Sequence, residues 1–178
     1  MSTCRMGKAK LLWGLLIWAT LLATIFIIPL TPLMSNKVID APFLSQSGPD
    51  KTIVFFGYSA CGDICPTTLT MLSNSLKKNK TQNEWPKVVF VDIDKSSNAQ
   101  QASNYAQQFN SRFMGFFPSK IELNKLKNYF GLNFQQTDAL ISHRGRTYIL
   151  QRQNQDWYLT KAYNPQGFTA ALLKNDFL

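Results

Sequence analysis

The sequence predicts an α/β domain, a mixed central sheet with helices on both faces, preceded by one transmembrane helix. Three observations carry this. An unbroken apolar run, Leu11–Leu30, lies near the start of the chain. From Lys51 onward, apolar runs of strand length alternate with segments whose apolar residues recur at helical spacing. The alternation then gives way to two consecutive strand-like runs and a closing helical segment, as expected when a hairpin is added to a parallel core.

The run LLWGLLIWATLLATIFIIPL carries no charge and has about the 20 residues that a helix needs to cross a bilayer. Trp13 falls where an interfacial aromatic belongs, and Trp18 lies in the same half. Arg5, Lys8 and Lys10 precede the run and few cations follow it closely, which places the tail 1–10 in the cytoplasm and exports the rest. The run ends in Ile27-Ile28-Pro29-Leu30, with no small-residue cleavage pattern, and no cysteine follows that lipid could modify. An uncleaved anchor over 11–30 is therefore expected rather than a removed signal. No Arg- and Ser-rich presequence precedes it, so the expected location is a bacterial inner (cytoplasmic) membrane, single-pass, with the C-terminal domain in the periplasm. The stretch 31–50, with Pro32, Pro42 and Pro49, reads as a linker. Val38–Leu44 within it reads as a short edge strand, kept from a sheet centre by Pro42.

The domain is expected over 51–178. Thr52–Gly57 is a buried strand, and Pro66–Lys78 is a helix with Leu69, Leu72 and Leu76 on one face. Lys87–Ile93 is a second buried strand. Ala99–Phe109 is a helix capped by Ser97 or Asn98. Arg112–Phe116 is a short strand and Pro118–Phe130 a third helix. Arg146–Leu150 and Trp157–Ala162 form a hairpin across Gln151–Asp156, and Pro165–Lys174 closes the chain as a helix.

The formal charge of +9 is scattered, with no basic tract interleaved with aromatics, which argues against nucleic-acid binding. Of the three cysteines, Cys4 lies on the tail, so a multi-disulfide scaffold is excluded. The other two, Cys61 and Cys65, sit on the loop between the first strand and its helix. Pro66 stands at the expected helix start, where its missing N–H matters least. The helix N-terminus there is expected to favour thiolate over thiol at Cys65. A thiolate pair on one short loop serves disulfide chemistry or soft-metal binding.

A strand, a cysteine loop and a helix in this setting is the thioredoxin arrangement. In such folds the turn entering the hairpin strand lies against the cysteine loop, and the sole histidine, His143, precedes that strand. Two thiolates and an imidazole suit copper: soft sulfur favours Cu(I), and imidazole serves both oxidation states. A structural zinc site would want a fourth protein ligand, for which only the oxygen of Asp63 stands nearby in sequence.

The stretch FGYSACGDICPTTL resembles the signature of the Sco/SenC family of copper chaperones, which carry Cys-x-x-x-Cys-Pro on this loop. Arg112–Ile121 with Tyr129–Leu132, and Ser142-His143 followed by Thr147–Leu150, are similar to two later segments of that family. The resemblance runs from about Phe43 to Leu173. It implies a thioredoxin-like fold that binds one copper ion through Cys61, Cys65 and His143. It also implies delivery to the dinuclear copper site of cytochrome c oxidase subunit II. Gly62 stands where proline is commoner, Ser142 where many members have Asp, and Lys95–Asn98 replaces an acidic, proline-containing loop. None of these departures removes a ligand.

Two other functions use the same residues. A membrane-tethered thiol–disulfide reductase would need Cys61 and Cys65 as a redox-active disulfide but not His143. A copper-dependent redox sensor would need all three and no acceptor. Metal binding and disulfide formation exclude one another, because a disulfide offers no thiolate.

Overall fold

The computed structural model describes residues 3–27, 33–78, 85–136, 141–142 and 145–174. Helix α1 (Thr3–Ile27) leads to strand β1 (Leu33–Ile39), and β2 (Lys51–Gly57) is followed by α2 (Ile64–Lys78). Then come β3 (Lys87–Asp92), α3 (Ala99–Phe109), β4 (Met114–Phe116) and α4 (Lys120–Phe130). Two short strands, β5 (Gln135–Gln136) and β6 (Ile141–Ser142), pair with each other. The hairpin of β7 (Thr147–Gln153) and β8 (Asp156–Tyr163) precedes α5 (Pro165–Lys174).

The main sheet has the order β1-β8-β7-β2-β3-β4. β2, β3 and β4 run parallel, while β7 pairs antiparallel with β2, β8 with β7, and β1 with β8. Alternation along β2 splits the core in two. Val54 and Phe56 face one side with Val89, Val91 and Leu150, where Leu126 and Phe130 of α4 cover them. There the rings of Phe56, Phe130 and Tyr148 meet edge-on, with centroids 5.0 to 5.6 Å apart. Ile53 and Phe55 face the other side, beneath Leu69, Leu72 and Leu76 of α2, Ala106 of α3 and Phe168 of α5. The expected mixed sheet with helices on both faces is thus present.

Several boundaries differ from expectation, each for a local reason. α2 starts two residues early, because the Asp63 carbonyl accepts the Thr67 N–H at 3.3 Å and opens the helix before Pro66. Cys65 therefore lies inside the first turn. α4 starts two residues late, because the Ser119 side chain accepts the Glu122 N–H while the Glu122 carboxylate accepts the Ser119 N–H, a full capping box. The hairpin strands are longer than expected and leave a tight turn with Asn154 at φ 58°.

The stretch read as a linker is partly built into the domain. β1 covers Leu33–Ile39 rather than Val38–Leu44, and it is an edge strand. Ile39, Ala41 and Phe43 are buried. The Arg152 guanidinium gathers residues 46–50, donating to the carbonyls of Gln46 and Gly48 and to the Asp50 carboxylate. The Trp157 indole N–H donates to the Ser45 carbonyl at 3.3 Å.

The expected transmembrane helix is not shown. α1 covers the apolar sequence from Leu11 to Ile27, and residues 28–30 lie outside the described ones. Among the described residues, no helix is long and apolar enough to cross a membrane. The side chains of α1 from Leu11 to Ile25 are exposed.

Candidate metal centre

β2 and β3 end side by side, Gly57 opposite Asp92, and the chain leaves Gly57 into the cysteine loop. The Cys61 N–H donates to the Tyr58 carbonyl at 3.0 Å, which turns the loop back toward α2. Both cysteines are free thiols, Cys61 half-buried and Cys65 fully buried. Cys65 sits where Gly57 has no side chain. A Cβ at position 57 would lie 2.7 Å from Cys65 Sγ and 3.0 and 3.1 Å from the rings of Phe90 and Phe55.

The expectation of a thiolate-favouring Cys65 is overturned. Burial pushes its thiol well above the usual range. A hydrogen bond with the Cys61 side chain and the negative potential of Cys61 and Asp92 add to this, and the Tyr58 backbone N–H only partly opposes them. The helix-terminus argument assumes a sulfur with access to solvent, whereas this one lies among Leu69, Phe55 and Phe90. A thiol whose folded pKa is raised contributes stability in full below the unfolded thiol pKa, and loses it as pH rises beyond that value. The reduced domain is therefore expected to lose denaturant resistance between about pH 8 and about pH 10. A Cys65→Ala variant, measured by guanidinium titration, loses less over the same interval.

Acidic and phenolic groups surround the pair. Asp92 is fully buried; its carboxylate accepts from the Asp94 N–H at 3.0 Å and from the Ser97 hydroxyl at 2.7 Å. Burial raises its pKa, and these two donors partly offset that. The phenol of Tyr58 is raised by burial and then by Cys61, Cys65 and Asp94. Tyr105, packed on Phe90 at 4.9 Å between ring centroids, is raised by burial and then by Cys65, Cys61 and Asp92. Among the described residues its buried hydroxyl has no hydrogen-bond partner.

The turn into β7 lies against the cysteine loop, as expected. Gly145 has φ +57°, and a Cβ there would lie 2.7 Å from Cγ2 of Ile64, the neighbour of Cys65. His143 and Arg144 lie outside the described residues. Arg146 is half-buried, and its Nε donates to the Asn164 side chain at 3.2 Å. Asp63 is exposed. Among the described residues, no three His, Cys, Asp or Glu side chains form a metal-ligating cluster.

Sequence reasoning missed Gly57, Gly145, Asp92 and Tyr105. Only Asp92 left a signal, an acid ending the apolar run KVVFVD. The other three matter through contacts with distant segments.

A dithiol loop at the C-terminal end of a parallel strand, flanked by an antiparallel hairpin strand, defines a thioredoxin-like dithiol protein. Residues 48–175 match the SCO1/SenC family model, and the chain belongs to that family. It is 27% identical over 106 residues to the mitochondrial protein SCO1 homolog 1 of Arabidopsis thaliana, a match covering 56% of this chain and 32% of that protein. The chain spans 32% to 56% of the length of the curated relatives it matches. Its fold is similar to that of apo Sco1 from Thermus thermophilus, with TM-score 0.63, 25% identity, and 83% of this chain and 91% of that one covered. It is also similar to Arabidopsis thaliana ScoI solved with copper bound, with TM-score 0.59, 20% identity, and coverage of 83% and 98%.

Proposed function

We propose that this protein is a membrane-anchored copper carrier. Its exported domain holds one copper ion through Cys61, Cys65 and His143 and passes it to the dinuclear copper site of cytochrome c oxidase subunit II. The observation that carries this reading is the contact of Gly145 with Ile64. It brings the chain two residues beyond His143 against the residue before Cys65, and two peptide units reach about 7 Å. The free, adjacent thiols supply soft donors for Cu(I), and an imidazole extends the set to Cu(II). Copper enters only the reduced pair, because a disulfide offers no thiolate to hold it. Release by ligand exchange begins with the imidazole, the harder of the donors.

The exposed apolar surface of α1, continued by the apolar residues 28–30, supports the anchor; Arg5, Lys8 and Lys10 before it support a cytoplasmic tail and a periplasmic domain. One observation favours a second reading, a thiol–disulfide reductase: Cys61 is partly exposed while Cys65 is buried, the asymmetry of an attacking and a resolving thiol.

Transfer separates the two. Reduced protein loaded with copper is mixed with the soluble copper domain of subunit II, and the copper on each is counted after separation. The carrier reading expects the ion on the acceptor. Copper retained by the donor, together with insulin reduction that survives His143→Ala, would favour the reductase.

A further inference from the structure

The dithiol and the entry of the chain into the domain lie at the same end of the sheet. β1 begins at Leu33 opposite Ala162, next to Tyr163, which pairs with Thr147; Thr147 in turn pairs with Phe55, two residues before Gly57 and the cysteine loop. The far end holds Ile39 opposite Trp157, the Asn154–Gln155 turn, and the starts of β2 and β3. Three strand spacings separate β1 from β2, about 14 Å. The apolar run ends at Leu30, and the three links from Leu30 to Leu33, the first residue of β1, span at most about 11 Å.

We infer that the sheet end bearing Cys61 and Cys65 faces the bilayer, so that a partner seated in the same membrane meets the dithiol from the side. This rests on the reading of α1 as an anchor. A tether that reaches about half the height of the sheet, roughly 20 Å for the six links of a seven-residue strand, cannot let the domain turn its far end to the lipid. The tether joins an edge strand, so the loop stands beside the attachment rather than above it. The exposed loop residues, Ala60, Gly62 and Asp63, are then offered sideways along the membrane surface. A partner free in solution would have to reach beneath the domain, whereas one seated in the same bilayer meets the loop by lateral diffusion.

The test uses the full chain in vesicles of phosphatidylethanolamine and phosphatidylglycerol containing a lipid with gadolinium chelated at its headgroup. With Cys4→Ser, Cys61→Ser and Cys65→Ala as background, one nitroxide label is placed at Gly62→Cys, where an added Cβ meets nothing within 4 Å. Another is placed at Gln155→Cys, exposed at the opposite end. The expected result is paramagnetic relaxation several-fold stronger at 62 than at 155. A flexible Gly-Ser insertion of about 20 residues between Thr31 and Pro32, adding roughly 25 Å of mean reach, should erase the difference. Equal relaxation without the insertion, or stronger relaxation at 155, overturns the inference while leaving the anchor in place. Failure of the chain to float with the vesicles overturns the anchor reading and the orientation with it. A nitroxide-bearing unnatural amino acid at the same positions of the otherwise native chain gives the same readout if the cysteine-free background does not fold.

Discussion

Gly115→Ala is expected to be the most damaging small substitution in the domain. A Cβ at this position would lie 2.1 Å from the carbonyl oxygen of Ala102 and 2.4 Å from the Ser103 nitrogen. Both obstacles are backbone atoms of α3, so no side chain can rotate away. Relief requires lifting α3 off β4, which also loosens the burial of Ala102 and Ala106. Overpacking against side chains costs about 1–3 kcal/mol, and a backbone clash should exceed this, at about 4 kcal/mol. That is a large share of a typical stability of roughly 5–15 kcal/mol. Denaturant unfolding of the reduced domain measures it. A loss below about 1 kcal/mol would show that α3 and β4 do not pack this closely.

Gly145→Ala should combine a stability loss with a site defect. A left-handed conformation costs a non-glycine residue about 1–2 kcal/mol, and the added methyl meets Ile64 Cγ2 at 2.7 Å, so a total of about 3 kcal/mol is expected. The strain falls between the turn that follows His143 and the residue that precedes Cys65. Copper should therefore be held at least about tenfold more weakly, as a loss of about 1.4 kcal/mol implies. Ile64→Ala removes the obstructing methyl. The double variant should be more stable than the sum of the single effects predicts, leaving mainly the left-handed strain. Additive effects would mean that the two residues do not touch.

These two glycines show where sequence reasoning stops. The apolar runs of β2 and β3 and the helical spacing of α2 and α4 can be read locally, because burial imposes a period on the residues themselves. α3 is legible to the residue, since Asn98 both follows a turn and caps the helix, its side chain accepting the Gln101 N–H at 2.9 Å. β1 is not legible: LMSNKVI neither alternates nor stays apolar, and its strand character comes from β8, more than a hundred residues away. The site divides in the same way. Cys61 and Cys65 declare themselves by spacing. The burial that holds Cys65 protonated, the vacancy at Gly57 that seats its sulfur, and the phenol of Tyr105 nearby depend on what packs above the loop.

The central claim is that Cys61, Cys65 and His143 together hold one copper ion, and the binding of Cu(II) by wild-type and His143→Ala protein, both with reduced thiols, tests it most directly. The account predicts one copper per wild-type chain with strong sulfur-to-copper absorption. It predicts Cu(II) affinity at least about tenfold lower in the variant, equivalent to about 1.4 kcal/mol or more, with Cu(I) still bound by the two sulfurs. A His143→Ala protein that holds Cu(II) as tightly as wild type, with the same absorption, would contradict it.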